Sequence, residues 1–197
     1  MLVHLLDHGS VELLDTFGSD LMVVNAAHVR LKNSDENNCV NPFFHPQAQF
    51  RIKMPIFVAR EWFRHQIGFA RNELRRYVDE KPVCYLPCLD AKLKQRNKEM
   101  GNNIMAMEII KDINERACES YGDLLAMGIA PELARTVLPQ GMYTEFIETG
   151  SLSAFVHLCK IRLDPTAQWE IRQYADAVRT LLMDKFPVSW AALAASD

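Results

Sequence analysis

The chain has 197 residues, enough to bury one sizeable core. Hydrophobic residues make up 49% and charged residues 24%, an ordinary globular balance, and the net charge of -3 gives no general attraction for a nucleic-acid backbone, so any phosphate must be gripped locally. No apolar run approaches the roughly 20 residues of a membrane span, Met1 to Ser10 lacks the basic-then-apolar pattern of a leader, and five scattered cysteines favour a reducing, cytoplasmic setting over a disulfide scaffold.

Leu2 to Leu6 is short and apolar, which predicts a buried strand, and His4 and His8 beside it read as surface or edge histidines. Gly18-Ser19-Asp20 supplies helix-capping chemistry ahead of an apolar stretch from Leu21 to Val29. Lys32 to Asn41 is polar and asparagine-rich, as in a surface loop. From Gln49 to Met54 the pattern alternates: Phe50, Ile52 and Met54 share one face, Gln49, Arg51 and Lys53 the other, and a half-buried strand is expected. Pro55 suits a first helical turn, followed by apolar positions at Ile56, Phe57, Ala59, Phe63 and Ile67, with Gly68 ending or bending the helix.

Pro82 and Pro87 bracket a short extended piece. Cys84 and Cys88 read as two packed thiols, because no second Cys or His pair follows to complete the four ligands of structural zinc. Lys92 to Gly101 is charged and expected on the surface, and Asn103 to Leu125 is the longest predicted helix, ended near Gly128. Met100, Met105 and Met107 read as fillers of core gaps. A helix opening at Pro131 is stopped by Pro139, and Gly141 to Gly150 forms a strand or a turn. Leu152 to Arg162 and Ala167 to Lys185 are two further helices, separated by Asp164-Pro165. With no repeat and no low-complexity linker, one α+β domain over residues 1–197 is expected.

Chemistry concentrates between Arg60 and Tyr77, which holds Arg60, Arg64, Arg71, Arg75 and Arg76 and no lysine. A guanidinium matches phosphate oxygens bidentately, whereas an ammonium is a point charge. If the helix from Pro55 persists, Arg60 and Arg64 lie one turn apart on one face. A solvated face with Glu61 and Glu73 as ion-pair partners would account for such a cluster. Against it, the arginines are interleaved with Trp62, Phe63, Ile67 and Phe69, and Arg135 and Arg162 also sit in apolar surroundings. Buried arginines need a counter-charge or a ligand, and several together suggest a shared anion.

The segment Pro55-Ile-Phe-Val-Ala-Arg-Glu-Trp-Phe-Arg-His-Gln, then Asn72-Glu73 and Arg75-Arg76-Tyr77, resembles the signature of flavin-dependent thymidylate synthases. The likeness continues in Asn41-Pro42-Phe43-Phe44-His45, Ala134-Arg135-Thr136-Val137-Leu138-Pro139, Tyr143-Thr144-Glu145-Phe146, Arg162-Leu163-Asp164 and Ala167-Gln168-Trp169-Glu170-Ile171-Arg172, in order along nearly the whole chain. The resemblance implies an α+β fold with a small twisted antiparallel sheet packed with helices, and a homotetramer with active sites at subunit interfaces. It implies FAD as cofactor, contacted by Asn41, Arg64, His65, Gln66, Ile67 and His157. It further implies a pyrimidine nucleotide, dUMP, held by Glu61, Glu73, Arg75, Arg76, Arg135 and Arg162, with Arg64, His65 and Arg162 in catalytic positions. The reaction implied is C5-methylation of dUMP to dTMP, with methylenetetrahydrofolate as carbon donor and NADPH as reductant. No nucleic acid and no membrane takes part.

The sequence departs from the family pattern at several points. Only Leu74 stands between Glu73 and Arg75, so a serine is missing; Arg30 replaces another serine; Phe44 replaces a glutamate; and Glu61 stands where glutamine is usual. Cys39, Ser151 and Ser153 also differ. Most of these changes fall on the flavin and folate side. They leave two alternatives: methylation or hydroxymethylation of another pyrimidine nucleotide such as UMP or dCMP, or a non-catalytic nucleotide-binding homologue.

Overall fold

A computed structural model describes residues 1–25, 42–73, 82–87 and 103–195. Five strands form one sheet: β1 (Leu2–Leu5), β2 (Gly9–Phe17), β3 (Gln47–Pro55), β4 (Phe69–Glu73) and β5 (Tyr143–Ser151). Their spatial order is β1-β2-β3-β5-β4, and every pairing is antiparallel. The alternation from Gln49 to Met54 is realised in β3, where Phe50, Ile52 and Met54 are fully buried and Arg51 is exposed. Leu2 to Leu5 does form a strand, but an edge strand rather than a buried one: Leu2 is 51% exposed, and His4 is exposed as expected. A register shift between Leu13 and Asp15 kinks β2 against β3.

The helices are α1 (from residue 20, described to residue 25), α2 (Ile56–Trp62), α3 (Asn103–Ala126), α4 (Pro131–Ala134), α5 (Leu152–Arg162), α6 (Trp169–Lys185) and α7 (Pro187–Ala195). Ser19 Oγ accepts from the Met22 amide at 3.4 Å, the capping contact read from Gly18-Ser19-Asp20. Asp20 then fastens the start of α7: its two carboxylate oxygens accept from the amides of Val188 at 3.0 Å and Ser189 at 2.8 Å. Helices α2, α5 and α6 pack on the sheet, and α7 packs on α5 and α6. Between them lies one apolar cluster that includes Phe50, Ile52, Trp62, Phe146, Phe155, Leu158, Tyr174 and Leu182.

The helix expected to run from Pro55 towards Gly68 stops at Trp62. Arg60 and Arg64 therefore do not share a helical face; Arg64 belongs to the turn that follows. The chain reverses there at Gly68, which has φ +82°, and returns as β4 beside β5. The long helix α3 is present as predicted and the turn after it contains Gly128 at φ +81°. However, Met105 on α3 is 59% exposed and fills no core gap; Ile104, Ile109 and Ile113 are similarly open. Cys84 packs against Cys118 of α3, with Sγ–Sγ 3.9 Å; Cys88 lies outside the described residues.

Candidate active site

The turn after α2 carries Arg64, His65 and Gln66, and α5 closes on it. From α5, Arg162 donates through Nε to His65 Nε2 at 3.0 Å and through Nη2 to the Glu61 carbonyl at 2.5 Å. Its Nη1 stands 3.6 Å from the Glu61 carboxylate. The His157 ring, also from α5, meets the His65 ring edge-on at 6.2 Å between centroids. Glu61, His65, His157 and Arg162 are thus assembled, although they come from parts of the chain about a hundred residues apart. Arg162 finds the counter-charge expected of a half-buried arginine in Glu61.

His65 is held well below its usual titration range, to about 4, first because it is partly buried and then because Arg162, His157 and Arg71 make a second positive charge unfavourable. At neutral pH its imidazole is uncharged. Since Nε2 accepts from Arg162, the ring proton belongs on Nδ1. Burial also lowers the pKa of Arg162, with Glu61 opposing the shift. Three contacts leave N–H groups of its guanidinium for a ligand oxygen. Arg64, Gln66 and His157 are exposed beside this assembly, and Ile67 is 91% exposed at the tip of the turn.

The turn is supported from β4 and β5. Arg71 donates to the His65 carbonyl at 2.5 Å and to Glu148, and its guanidinium lies over the rings of Phe63 and Phe69, 4.9 and 5.4 Å from their centroids. Glu148 is fully buried; its second oxygen accepts from Trp62 Nε1 at 2.6 Å. Burial pushes the Glu148 carboxyl up, while the Arg71 charge and the two donated hydrogen bonds pull it back.

A cavity of about 440 Å³ opens elsewhere, between α2, β5, the 82–83 segment and the turn after α4. Arg60, Glu73 and Arg135 line it, together with Tyr121, Thr136 and Thr144. Its lining includes neither His65 nor Arg162. The residues assigned to the nucleotide therefore divide into two groups, Glu61 and Arg162 in one and Glu73 and Arg135 in the other. Arg135 was expected in apolar surroundings; it is exposed, in a short 3-10 turn, and reaches the cavity from its rim. Asn41, Arg75 and Arg76 lie outside the described residues, as do Arg30 and Cys39.

Residues 12–188 match the family described as thymidylate synthase complementing protein. The chain is 35% identical to the flavin-dependent thymidylate synthase of Thermus thermophilus, over 96% of its own length and 77% of that protein's. It is 36% identical to the Thermotoga neapolitana protein of the same name, over 98% and 94%. Among solved structures, the UMP/dUMP methylase PolB from Streptomyces cacaoi, bound with 5-Br UMP, superposes with a TM-score of 0.83 at 28% identity, covering 98% of this chain and 96% of that one. Fold, order of motifs and nearly full-length similarity agree: the chain belongs to the flavin-dependent thymidylate synthase family.

Proposed function

We propose that this chain is a flavin-dependent methyltransferase acting at C5 of a pyrimidine nucleotide, with dUMP as the first substrate, methylenetetrahydrofolate as carbon donor and NADPH as reductant. The observation that carries the reading is the assembly of Arg162 on a neutral His65 and on Glu61, beside an exposed turn of polar and apolar groups. That turn fits a flavin. Arg64, Gln66 and His157 offer hydrogen-bonding groups, and the 91% exposed Ile67 offers apolar surface for a ring system. Bound FAD would supply the hydride chemistry, and Asn41 joins this set by resemblance.

The chain's own residues orient and bind. Neutral His65 is no acid at pH 7; it fixes the Arg162 guanidinium through Nε2. Arg162, so fixed, presents cationic N–H donors to a carbonyl or anionic oxygen of the pyrimidine. Arg135 and Glu73 at the cavity, with Arg75 and Arg76, hold the nucleotide's phosphate and the rest of its polar edge. Because Arg162 and Arg135 do not line one cavity, a complete site would join the two groups across copies of the chain, in keeping with a homotetramer of single-domain subunits.

The likeness to a UMP/dUMP methylase favours a second reading, in which the ribonucleotide is accepted as well. One experiment separates these outcomes. The protein is loaded with FAD, desalted, examined for retained flavin absorbance, and given dUMP, UMP or dCMP with the folate and NADPH. Formation of dTMP supports the first reading, and 5-methyl-UMP the second. Retained flavin with no C5 product from any nucleotide would overturn both.

A further inference from the structure

We propose that Arg71, locked by the buried Glu148, is a positioning residue that sets His65 against Arg162. The inference rests on the reading of His65 and Arg162 as site residues for its bearing on activity, but its geometry does not depend on that reading. Glu148 occupies a core-facing position of β5, directly across from Phe50 of β3 and two residues from buried Phe146. A carboxylate with no exposed surface at such a place is unfavourable unless its oxygens are satisfied. Both are: one by Trp62 Nε1 from the last turn of α2, the other by Arg71 from β4.

The same guanidinium reaches onward to the His65 carbonyl and lies over the rings of Phe63 and Phe69. The chain from Trp62 to Arg71 is thereby tied at both ends to one carboxylate, with His65 tied between them. An apolar trio would pack this space with less desolvation, so stability alone does not call for an ion pair here. A forked donor, in contrast, fixes where the peptide of His65 sits and hence where its Nε2 meets Arg162. Among the described residues, the charged and titratable groups around His65 are Glu61 and Arg64 near the end of α2, Arg71 on β4, and His157 and Arg162 on α5.

The test is the titration of His65 in histidine-labelled protein followed by NMR, with its signal assigned by His65→Gln. Arg71→Lys keeps the charge but loses the rigid planar fork that spans Glu148 and the His65 carbonyl. Where Arg71→Lys does not fold, Glu148→Gln, which keeps the side-chain shape, carries the same test. If Arg71 positions His65, the ring leaves Arg162 in either variant and its midpoint rises by about one unit or more towards the ordinary histidine value. Pure electrostatics predicts otherwise: no change for Arg71→Lys, and a fall for Glu148→Gln, where an uncompensated Arg71 opposes protonation. A folded variant whose His65 midpoint stays put or falls overturns the inference. The titration needs no turnover, so a protein that methylates nothing but shows the rise would refute the proposed function and leave the positioning role intact.

Discussion

Gly68→Ala probes how tightly the site turn is fitted to the helix behind it. Gly68 has φ +82°, and a Cβ there would lie 2.9 Å from the Ala154 Cβ and 3.4 Å from Ser151 Oγ. The Ala154 methyl is joined directly to the α5 backbone and cannot rotate away, so either the turn or the helix must shift. The left-handed conformation costs about 1–2 kcal/mol for a residue with Cβ, the overpacking about 1–3 kcal/mol, and the stiffer unfolded chain returns about 0.4–1 kcal/mol. The net expectation is a loss of about 2–4 kcal/mol, or roughly 5–15 °C in the unfolding midpoint of a chain this size. Gly128→Ala is the internal control: its φ is +81° but, among the described residues, no atom beyond its chain neighbours lies within 4 Å of the new Cβ. It should lose only about 0.5–1.5 kcal/mol. Urea unfolding of the ligand-free variants at equal protein concentration reads both. Equal losses, within roughly 0.5 kcal/mol, would show that the turn has room behind it and that the close contact with α5 has no energetic weight.

Further outcomes follow from the same geometry. Because folding lowers the His65 pKa from 6.5 to about 4, the folded form prefers the neutral ring. That contribution is full above pH 6.5 and is lost as pH falls towards 4; allowing for the ring's partial exposure it amounts to about 1–2 kcal/mol. Parallel pH–stability curves for the wild type and His65→Gln would refute this. Trp62→Phe removes the donor to a fully buried carboxylate and should cost about 2–4 kcal/mol by urea unfolding; a loss below about 1 kcal/mol would mean the carboxylate finds another donor. Arg135→Ala is expected to abolish dUMP binding in calorimetry while leaving the protein folded, since the side chain is exposed; undiminished affinity would remove Arg135 from the phosphate site. Ser151→Ala deletes the side-chain cap of α5, in which Oγ accepts from the Ala154 amide at 3.2 Å, and should cost about 1 kcal/mol; an unchanged urea midpoint would contradict it.

Sequence patterning was most informative where local periodicity and tertiary burial agree. The alternation in β3 and the bounds of α5 are of this kind, as is the extent of α3. It misled where a long-range contact decides. Helix α2 ends at Trp62 rather than near Gly68 because Trp62 is anchored on Glu148, 86 residues away, and the chain must turn back to pair β4 with β5. Strand β4, with the sequence Phe-Ala-Arg-Asn-Glu, carries almost no strand signal of its own. In the site, spacing alone suggested an arginine cluster sharing an anion. It could not indicate that Arg71 would satisfy its charge inside the protein, on Glu148. That residue did leave a trace in the sequence: Phe146, Glu148 and Gly150 alternate on one side of β5, and a carboxylate among them needs a partner. The meeting of Glu61, His65 and Arg162 was legible only through resemblance to a family.

The junction between β5 and α5 has no loop. Ser151 is the last residue of the strand and caps the helix that begins at Leu152. Sheet and helix are therefore geared together, and Arg162 sits at the far end of that gear, roughly 16 Å along the helix axis. A single residue inserted at the junction would turn α5 by about 100° and carry Arg162 and His157 away from His65. At this junction the spacing in the sequence is itself part of the site.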